Sequence, residues 1–429
     1  MNTDIENDLK SISKFRKIKI KIRELLEEST SHGIPKICKT KNLLILIIWS
    51  ICTVFSICLC SFFVIDTVFD YLNYKTIANI EIVNEQEAQF PALSICALPS
   101  FNLSLNQTII FSRFDNIVET NLSQYYEVFY DVNMGKCFRY NSGKNIFNQS
   151  YPIHNSTING YKYGLKLNMK IQIPDEYDYA EIYVFIHNQS SPPFDTNNGR
   201  GFWMAPGSYN YFEIDRVFYQ KLDFPYSDCL KDVNSFKMNK SLIYKILDDN
   251  RAYTQTDCYY LCSNLFALQD SNCGCNSTFD DFSQNCIRQY NKIETNLNKC
   301  ISEYLKLFRK KDQYEKCNQY CPLECNSINY LINAYSYQLP VSGNVSKISK
   351  SNYYTTEFNT HEEIKKRFFG IRVYYNDLKY TLISEEPKTK TFNFVSNIGG
   401  ILGVFLGISF LSFIEIFQIF FEILFILLS

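Results

Sequence analysis

Three polar residues lie in an apolar stretch at the end of this sequence, residues 391–429. Glu415, Gln418 and Glu422 are separated by three and then four positions, a spacing that puts all of them on one face of an α-helix. A carboxylate at membrane depth is costly unless it faces water or a partner. The spacing therefore predicts that this helix face lines a water-filled path for cations. A passive membrane anchor would have no reason to carry these residues.

A glycine pattern precedes these polar residues. Gly399, Gly403 and Gly407 are four residues apart, and Gly407, Ile408 and Ser409 form a short step of small or polar character. Copies of this step around an axis would present backbone carbonyls that replace part of a cation's hydration shell. The alternative is that the glycines only let helices pack closely, as GxxxG motifs do in many membrane spans. The acidic residues that follow favour the first interpretation.

Membrane-spanning elements must position these groups. Residues 43–64 form a second apolar run of 22 residues without a charge, long enough to cross a bilayer. Ahead of it, residues 1–41 carry ten Lys or Arg and six acidic residues, an excess that predicts a cytoplasmic N-terminus. We therefore expect a cytoplasmic segment (1–42), a first transmembrane helix (43–65), an extracellular region (66–392), and a pre-pore segment with a second, pore-lining helix (393–428). Both termini would be cytoplasmic.

Glycosylation sequons support this topology, because every Asn-x-Ser/Thr motif falls between the two predicted spans. A glycoprotein exposes such motifs outside the cell. The predicted acceptors are Asn102, Asn106, Asn121, Asn148, Asn155, Asn188, Asn239, Asn276 and Asn344.

The cysteines agree with an extracellular location. Twelve of the 16 lie between the predicted spans, and nine of these are concentrated between Cys258 and Cys325. An even number of cysteines in an oxidising compartment is typical of a disulfide framework. A zinc cluster is the alternative, but the histidines of this region, His154, His187 and His361, lie outside the concentrated group. We expect disulfides, and no metal site or cofactor.

Alternating or β-rich patterns predict strands at residues 165–174, 181–187 and 368–383, and residues 291–319 have a helical pattern. The fold class expected is an α+β membrane protein with a central β-sheet. A net charge of −1 gives no reason to expect a nucleic-acid partner. The sequence also has no HExxH or GxSxG motif, so an ectoenzyme has little support.

The ordered motifs resemble the degenerin/epithelial sodium channel family, which includes acid-sensing and peptide-gated channels. The matching motifs are His32-Gly33 before the first span, FPALSIC at residues 90–96, GKCFRYN around Cys137, FPYSDC ending at Cys229, the concentrated cysteines, and GGxxGxxxGxSxxSxxE at residues 399–415. They cover almost the whole chain in the family's order.

This resemblance implies a homotrimer or heterotrimer of related subunits in the plasma membrane, with palm, β-ball and thumb regions outside the cell. It also implies a voltage-independent, sodium-selective and amiloride-sensitive channel, with Na⁺ as the permeant ion and no cofactor. The disulfide pairs implied by the family are Cys96–Cys137, Cys229–Cys325, Cys258–Cys321, Cys262–Cys317, Cys273–Cys300 and Cys275–Cys286.

The same resemblance implies roles for particular residues. Gly407, Ile408 and Ser409 would form the selectivity filter, with Glu415, Gln418 and Glu422 lining the pore below it. His32, Gly33 and Ser396 would take part in gating. Tyr71 and Tyr74, just past the first span, resemble a position where aromatic contacts couple the extracellular region to the helices.

Departures from the family bear on the stimulus. Only 40 residues lie between Cys96 and Cys137, so the finger is predicted to be reduced. Ser190, Ser191 and Ser302 stand where acid-sensing members have acidic residues, which argues against strong proton gating. We expect an extracellular ligand, either a peptide or another small molecule. Mechanical tethering and constitutive leak also remain open, and the sequence does not choose among these stimuli. A non-conducting or regulatory subunit of a heteromeric channel is the alternative, because the finger is short and the sequence ends at Ser429 without a basic tail.

Overall fold

The computed structural model describes residues 22–23, 27, 33–98, 104–131, 135–171, 181–189, 201–231, 253–256, 258–259, 262, 317–318, 321–339 and 361–428. The chain divides into two compact units. The first contains both apolar segments, within Met1–Ile77 and Glu386–Ser429, and the second is Ala78–Glu385.

The helices and strands are numbered in chain order within the described residues. The helices are α1 (Ile34–Lys39), α2 (Leu43–Leu72), α3 (Leu105–Thr108), α4 (Leu122–Tyr125), α5 (His361–Arg367), α6 (Thr391–Leu406) and α7 (Phe410–Leu428). The strands are β1 (Thr76–Val83), β2 (Ala88–Gln89), β3 (Ala92–Leu98), β4 (Ile109–Phe114), β5 (Ile117–Val118), β6 (Tyr126–Asp131), β7 (Gly135–Tyr140), β8 (Asn155–Ser156), β9 (Leu165–Lys170), β10 (Glu181–His187), β11 (Phe202–Met204), β12 (Ser208–Gln220), β13 (Asn326–Gln338) and β14 (Phe368–Pro387).

Helix α2 contains the first predicted span. Among the described residues it is the one helix that is both long and apolar enough to cross a membrane, and α6 is a shorter apolar helix. The side chain of Asn42 caps α2 by accepting a hydrogen bond from Leu44 N at 3.1 Å. With 30 residues, α2 is about 45 Å long. It therefore continues beyond the uncharged run and includes Asp66 and Asp70.

A seven-stranded mixed sheet organises the second unit. Its order is β13-β12-β14-β9-β4-β5, and β1 also pairs with β14. Strands β12 and β14 run parallel, whereas β12 with β13 and β14 with β9 are antiparallel pairs. The longest strand of the sheet, β14, leads into α6 through residues 388–390. The large sheet and α6 are therefore separated by three residues of chain.

A buried arginine stabilises an irregularity between β12 and β14. Their register shifts between Ile214 and Arg216, and the side chain of Arg216 is only 3% exposed. Its Nη2 donates to Leu378 O at 2.7 Å and lies 2.8 Å from Glu85 Oε2. The guanidinium also lies 4.8 Å from the centre of the Tyr375 ring. A buried charge needs such partners, because desolvation would otherwise disfavour it.

A second sheet, in the order β11-β10-β3-β7-β6, shares the core with the large sheet. The common cluster includes Ile95 and Phe138 from the smaller sheet, and Leu167, Phe212 and Ile371 from the larger one. Burying such side chains is the main favourable contribution to folding. The strands predicted near residues 165, 181 and 368 are confirmed, although the first ends at Lys170.

A buried histidine, His187, lies at the end of β10. Its Nε2 lies 2.7 Å from Ser94 Oγ, and its Nδ1 lies 2.7 Å from Asn188 O. Burial lowers the pKa of the imidazole to about 3, and the positive charge of Arg139 adds to the decrease. His187 is therefore neutral at physiological pH.

We predict that His187 makes the folded state less stable in mild acid. The unfolded imidazole, with a pKa of about 6.5, binds a proton that the folded one does not, so the stability present above pH 6.5 is lost as pH falls towards 3. Between pH 6.5 and 5 the loss is about 2 kcal/mol. Thermal unfolding of the full chain should show a steeper fall in midpoint for the wild type than for His187→Gln. Equal slopes would contradict the prediction.

Candidate functional site

The C-terminal apolar segment is two helices instead of one. Helix α6 ends at Leu406, and Gly407 adopts a left-handed backbone conformation with φ of 68°. Its N–H donates to Gly403 O at 3.0 Å, and Ile408 N donates to Leu402 O at 3.3 Å. Glycine is favoured here because a Cβ would strain this conformation. The helix therefore ends at the Gly407-Ile408-Ser409 step, which the sequence analysis predicts to be the selectivity filter.

The residues after Gly407 are held by a serine pair. Ser409 N donates to Ser412 Oγ at 3.0 Å, and Ser412 N donates to Ser409 O at the same distance. Ser412 is 6% exposed. Helix α7 begins at Phe410, so the carbonyl groups of Gly407 and Ile408 lie outside both helices. Carbonyl groups outside a helix are the kind of ligand that can coordinate a cation in a pore.

The predicted polar face of α7 lies beyond this break. Gln418 is exposed in the single chain, whereas Glu415 and Glu422 are partly exposed. Gln418 Nε2 donates to Glu422 Oε1 at 2.9 Å. The structure therefore brings two of the three predicted residues into direct contact on one helix face.

Small residues on α6 leave space beside the helix. A Cβ added at Gly399 or Gly400 would meet no heavy atom within 4 Å among the described residues. A Cβ at Gly403 would lie 3.8 Å from Ile408 O. Ser396, the predicted gating position, is exposed. These glycines are not explained by close packing within the described part of this chain.

Helices α2 and α6 contact each other through aromatic side chains within the first unit. The rings of Phe63 and Phe405 stack with centroids 5.6 Å apart, and those of Tyr71 and Phe394 stack at 4.3 Å. Tyr71 OH also lies 3.3 Å from Thr391 Oγ1. Stacked aromatic pairs add to the stability given by burial alone. Tyr71 is therefore a contact between the two apolar segments.

An ionic cluster beside Tyr71 was not predicted from the sequence. Asp70 Oδ1 lies 2.6 Å from Lys75 Nζ, and Asp70 Oδ2 lies 3.0 Å from Lys388 Nζ. Lys388 N also donates to Lys75 O at 2.9 Å. Only the pairing across more than 300 residues of sequence reveals this cluster, since each residue alone resembles an ordinary exposed charge.

The structure describes only one residue of the predicted gating motif, His32-Gly33. His32 lies outside the described residues. Gly33 precedes α1 with φ of 92°, and its carbonyl accepts a hydrogen bond from Ile37 N at 3.0 Å. A Cβ at Gly33 would lie 2.5 Å from Thr53 Oγ1 on α2. The close approach to α2 requires glycine at this position.

Disulfides connect four of the cysteine pairs that the resemblance implies. Cys96–Cys137 joins β3 to β7 with a Cα–Cα distance of 4.5 Å. The others are Cys229–Cys325, Cys258–Cys321 and Cys262–Cys317. These eight thiols are bonded to each other, so they are not zinc ligands. The predicted pairs Cys273–Cys300 and Cys275–Cys286 lie outside the described residues.

Five predicted glycosylation sites fall within the described part of the chain. Asn106, Asn121, Asn148 and Asn155 are exposed, whereas Asn188 is partly buried. The remaining sites lie outside the described residues: Asn102, Asn239, Asn276 and Asn344. Four of the five described acceptors are therefore accessible on the surface of this chain.

Comparison with known proteins identifies the family. The model of the amiloride-sensitive sodium channel family matches residues 25–108 and 98–419, which is most of the chain. The chain therefore belongs to the amiloride-sensitive sodium channel family. Members of this family are ion channels and not enzymes, which excludes the ectoenzyme hypothesis.

Individual relatives are distant. Acid-sensing ion channel 1B from Danio rerio is 23% identical over 88% of this chain and 72% of its own length. Acid-sensing ion channel 1 from Gallus gallus is 21% identical over 94% and 84%. Epithelial sodium channel subunit beta from Neoceratodus forsteri is 24% identical over 70% of this chain and 44% of its own length. The match to acid-sensing ion channel 1C from Danio rerio spans about half of that protein, 51%.

Among solved structures, a proton-activated chloride channel aligns with 89% of this chain and 98% of its own. The TM-score is 0.35 and the sequence identity is 6%.

We predict that Gly33→Ala lowers the thermal unfolding midpoint of the full chain. The added Cβ would meet Thr53 Oγ1, and the left-handed backbone costs a non-glycine residue about 1 kcal/mol in addition. Thr53→Ala in the same chain should recover part of the loss, because it removes the contacting oxygen. Thr53→Ala alone is the matched control. If the double variant were no more stable than Gly33→Ala, the close approach would not explain the need for glycine.

Proposed function

We propose that this chain is a pore-forming subunit of a voltage-independent, sodium-selective cation channel that an extracellular ligand opens. The observation that carries the proposal is the interruption between α6 and α7 at Gly407. Family membership supports conduction in general. The carbonyl groups of Gly407 and Ile408, which lie outside both helices, support this particular place for selectivity.

The proposed filter is formed by Gly407, Ile408 and Ser409 from each subunit. Below it, the polar face of α7 would stabilise a partly hydrated cation, because two carboxylates lower the electrostatic cost of a positive charge there. Gln418 holds Glu422 through its amide. In this proposal the glycines of α6 face neighbouring subunits, since a Cβ at Gly399 or Gly400 would meet nothing nearby in the described chain.

Gating is proposed to involve residues at both ends of the apolar segments. Ser396, exposed on α6, would lie near the closed gate, and His32 with Gly33 would act from the cytoplasmic side. The stimulus is proposed to be a peptide or small molecule instead of protons. His187 supports this in one respect, because its lowered pKa keeps it neutral over the physiological range. Amiloride sensitivity is proposed from the family.

Assembly is proposed to be a homotrimer or a heterotrimer with related subunits in the plasma membrane. Two membrane spans, with both termini in the cytoplasm, would enclose the extracellular residues 66–392. That region would comprise palm, β-ball and thumb with a reduced finger, be glycosylated at its sequons and carry six disulfides in all. The proposed channel needs no cofactor, and Na⁺ is its permeant ion.

The proposal predicts that a bulky charge at residue 396 holds the channel open. Oocytes expressing Ser396→Cys would be recorded by two-electrode voltage clamp before and after a cationic thiol reagent, in sodium and then in potassium. We expect a current that appears on modification and is larger in sodium. The wild type exposed to the same reagent controls for the native cysteines, of which Cys52 and Cys58 are exposed.

A second substitution tests the proposed filter in the same recordings. Gly407→Leu in the Ser396→Cys chain should abolish the current, because leucine is strained at φ of 68° and would close the narrow step. Val404→Leu, at an exposed position of α6 outside the glycine pattern, is a matched control for added bulk. If Gly407→Leu conducted sodium as before, the filter would lie elsewhere.

The alternative function is a non-conducting or regulatory subunit of a heteromeric channel. The short segment of 40 residues between Cys96 and Cys137, which predicts a reduced finger, favours this alternative. Surface labelling would show that the protein reaches the membrane, and co-expression with a conducting relative would then be recorded. Silence of Ser396→Cys alone, together with an altered partner current, would support the alternative and contradict the pore-forming proposal for the chain alone.

A further inference from the structure

Three cationic residues form a row across the large sheet. Arg113 on β4 is in register with Lys166 on β9, and Lys166 is in register with Arg372 on β14. Adjacent strands lie about 4.8 Å apart, so the three Cα atoms span about 10 Å. Like charges directly opposite each other destabilise a sheet. The row therefore needs a reason or a compensating partner.

The three side chains share the face of the sheet that points away from the core. Their neighbours in sequence alternate with them, and those neighbours are buried in the common cluster: Phe114, Leu165, Leu167, Ile371 and Val373. Side chains alternate between the faces of a strand. The cations themselves are only partly buried. They therefore present their charges on one open face instead of pairing inside the core.

The surroundings of the row are cationic and aromatic. Partial burial lowers the pKa of the Lys166 ammonium to about 8, and the positive charges of Arg372 and Arg113 add to the decrease. Arg372 donates to Tyr161 O at 2.8 Å and lies 5.6 Å from the centre of the Tyr211 ring. Aromatic faces stabilise cations, but they do not neutralise them.

The acidic residues of β12 on this face, Glu213 and Asp215, lie further along the sheet than the row. Glu213 is opposite Tyr374, the second residue after Arg372. Asp377 on β14 pairs with Lys379 at 2.9 Å, so its charge is already compensated. In the strand register, none of these three carboxylates is opposite Arg113, Lys166 or Arg372.

We propose that Arg113, Lys166 and Arg372 form a binding site for an oxyanion that carries two or more negative charges, such as a phosphate or pyrophosphate group. The two planar guanidinium groups can each donate two hydrogen bonds to such a group, and the central ammonium adds a point charge. The anion replaces repulsion along the row with attraction. This site is separate from the proposed pore, and its existence does not depend on conduction.

The test uses the full chain purified in neutral detergent with a chelator, and inorganic pyrophosphate as the probe. The thermal unfolding midpoint should rise saturably with pyrophosphate, because a ligand that binds the folded state stabilises it. Sodium chloride at equal ionic strength should not reproduce the rise. In Lys166→Gln we expect the apparent affinity to fall by about tenfold or more. Lys379→Gln, which removes a paired lysine elsewhere on β14, should retain the affinity of the wild type.

A second readout separates binding from a structural role. Without pyrophosphate, Lys166→Gln should unfold at a higher temperature than the wild type, because it removes repulsion from both arginines. With saturating pyrophosphate the order should reverse. A lysine that merely supports the fold would lower the midpoint in both conditions. If Lys166→Gln does not fold, Arg113→Gln provides the same comparison.

Two results would overturn the proposal. One is a wild-type midpoint that pyrophosphate does not raise, or raises equally in Lys166→Gln. The other is a Lys166→Gln chain that dissociates from its oligomer on size exclusion while pyrophosphate has no effect on the wild type. The latter would show that carboxylates of a second copy occupy the row.

Discussion

The left-handed backbone at Gly407 is the constraint on which the account of this protein depends. A continuous helix through residues 391–428 would satisfy its carbonyl groups internally and would offer nothing to a passing ion. The chain instead ends one helix at Leu406 and starts the next at Phe410. In a membrane, irregular backbone is tolerated only where it is buried in protein or lines water. If α6 and α7 span the membrane as proposed, the interruption needs neighbouring subunits or a water-filled path to be stable.

The rest of the first unit surrounds this constraint. Phe63 and Tyr71 hold α6 against α2 through stacked rings. The Asp70 cluster links the C-terminal end of α2 to the residues that join β14 to α6. Each exposed ion pair contributes little alone, but here the pairs share one carboxylate beside an aromatic contact. The base of the two apolar segments is thus fixed by several modest interactions.

Much of the fold could be predicted from local sequence signals. The uncharged run predicted α2 but underestimated the length of the helix. The absence of charge indicates which part of a helix can lie in a membrane, and it does not indicate where the helix ends. Alternation predicted β9, β10 and β14, but the parallel pairing of β12 with β14 depends on contacts between residues about 160 positions apart in sequence.

Glu119 shows the same limit of local sequence signals. It resembles a surface residue, yet its carboxylate is buried and accepts hydrogen bonds from Ser112 and Tyr140. Spacing revealed the Gly407 step, whereas only the strand register revealed the row of Arg113, Lys166 and Arg372.

The most direct test of the central claim is the reversal potential of the open channel with sodium on one side and potassium on the other. We would compare Ser409→Cys with Ser409→Ala in a chain held open at residue 396 by substitution with a bulky residue. The account predicts that both changes shift the reversal potential towards equal permeability, with the larger shift for the substitution that differs more from serine in size and polarity. Val404→Ala, at an exposed position of α6 outside the glycine pattern, should leave the reversal potential unchanged. A sodium preference unaffected by any change at Gly407, Ile408 or Ser409 would contradict the account.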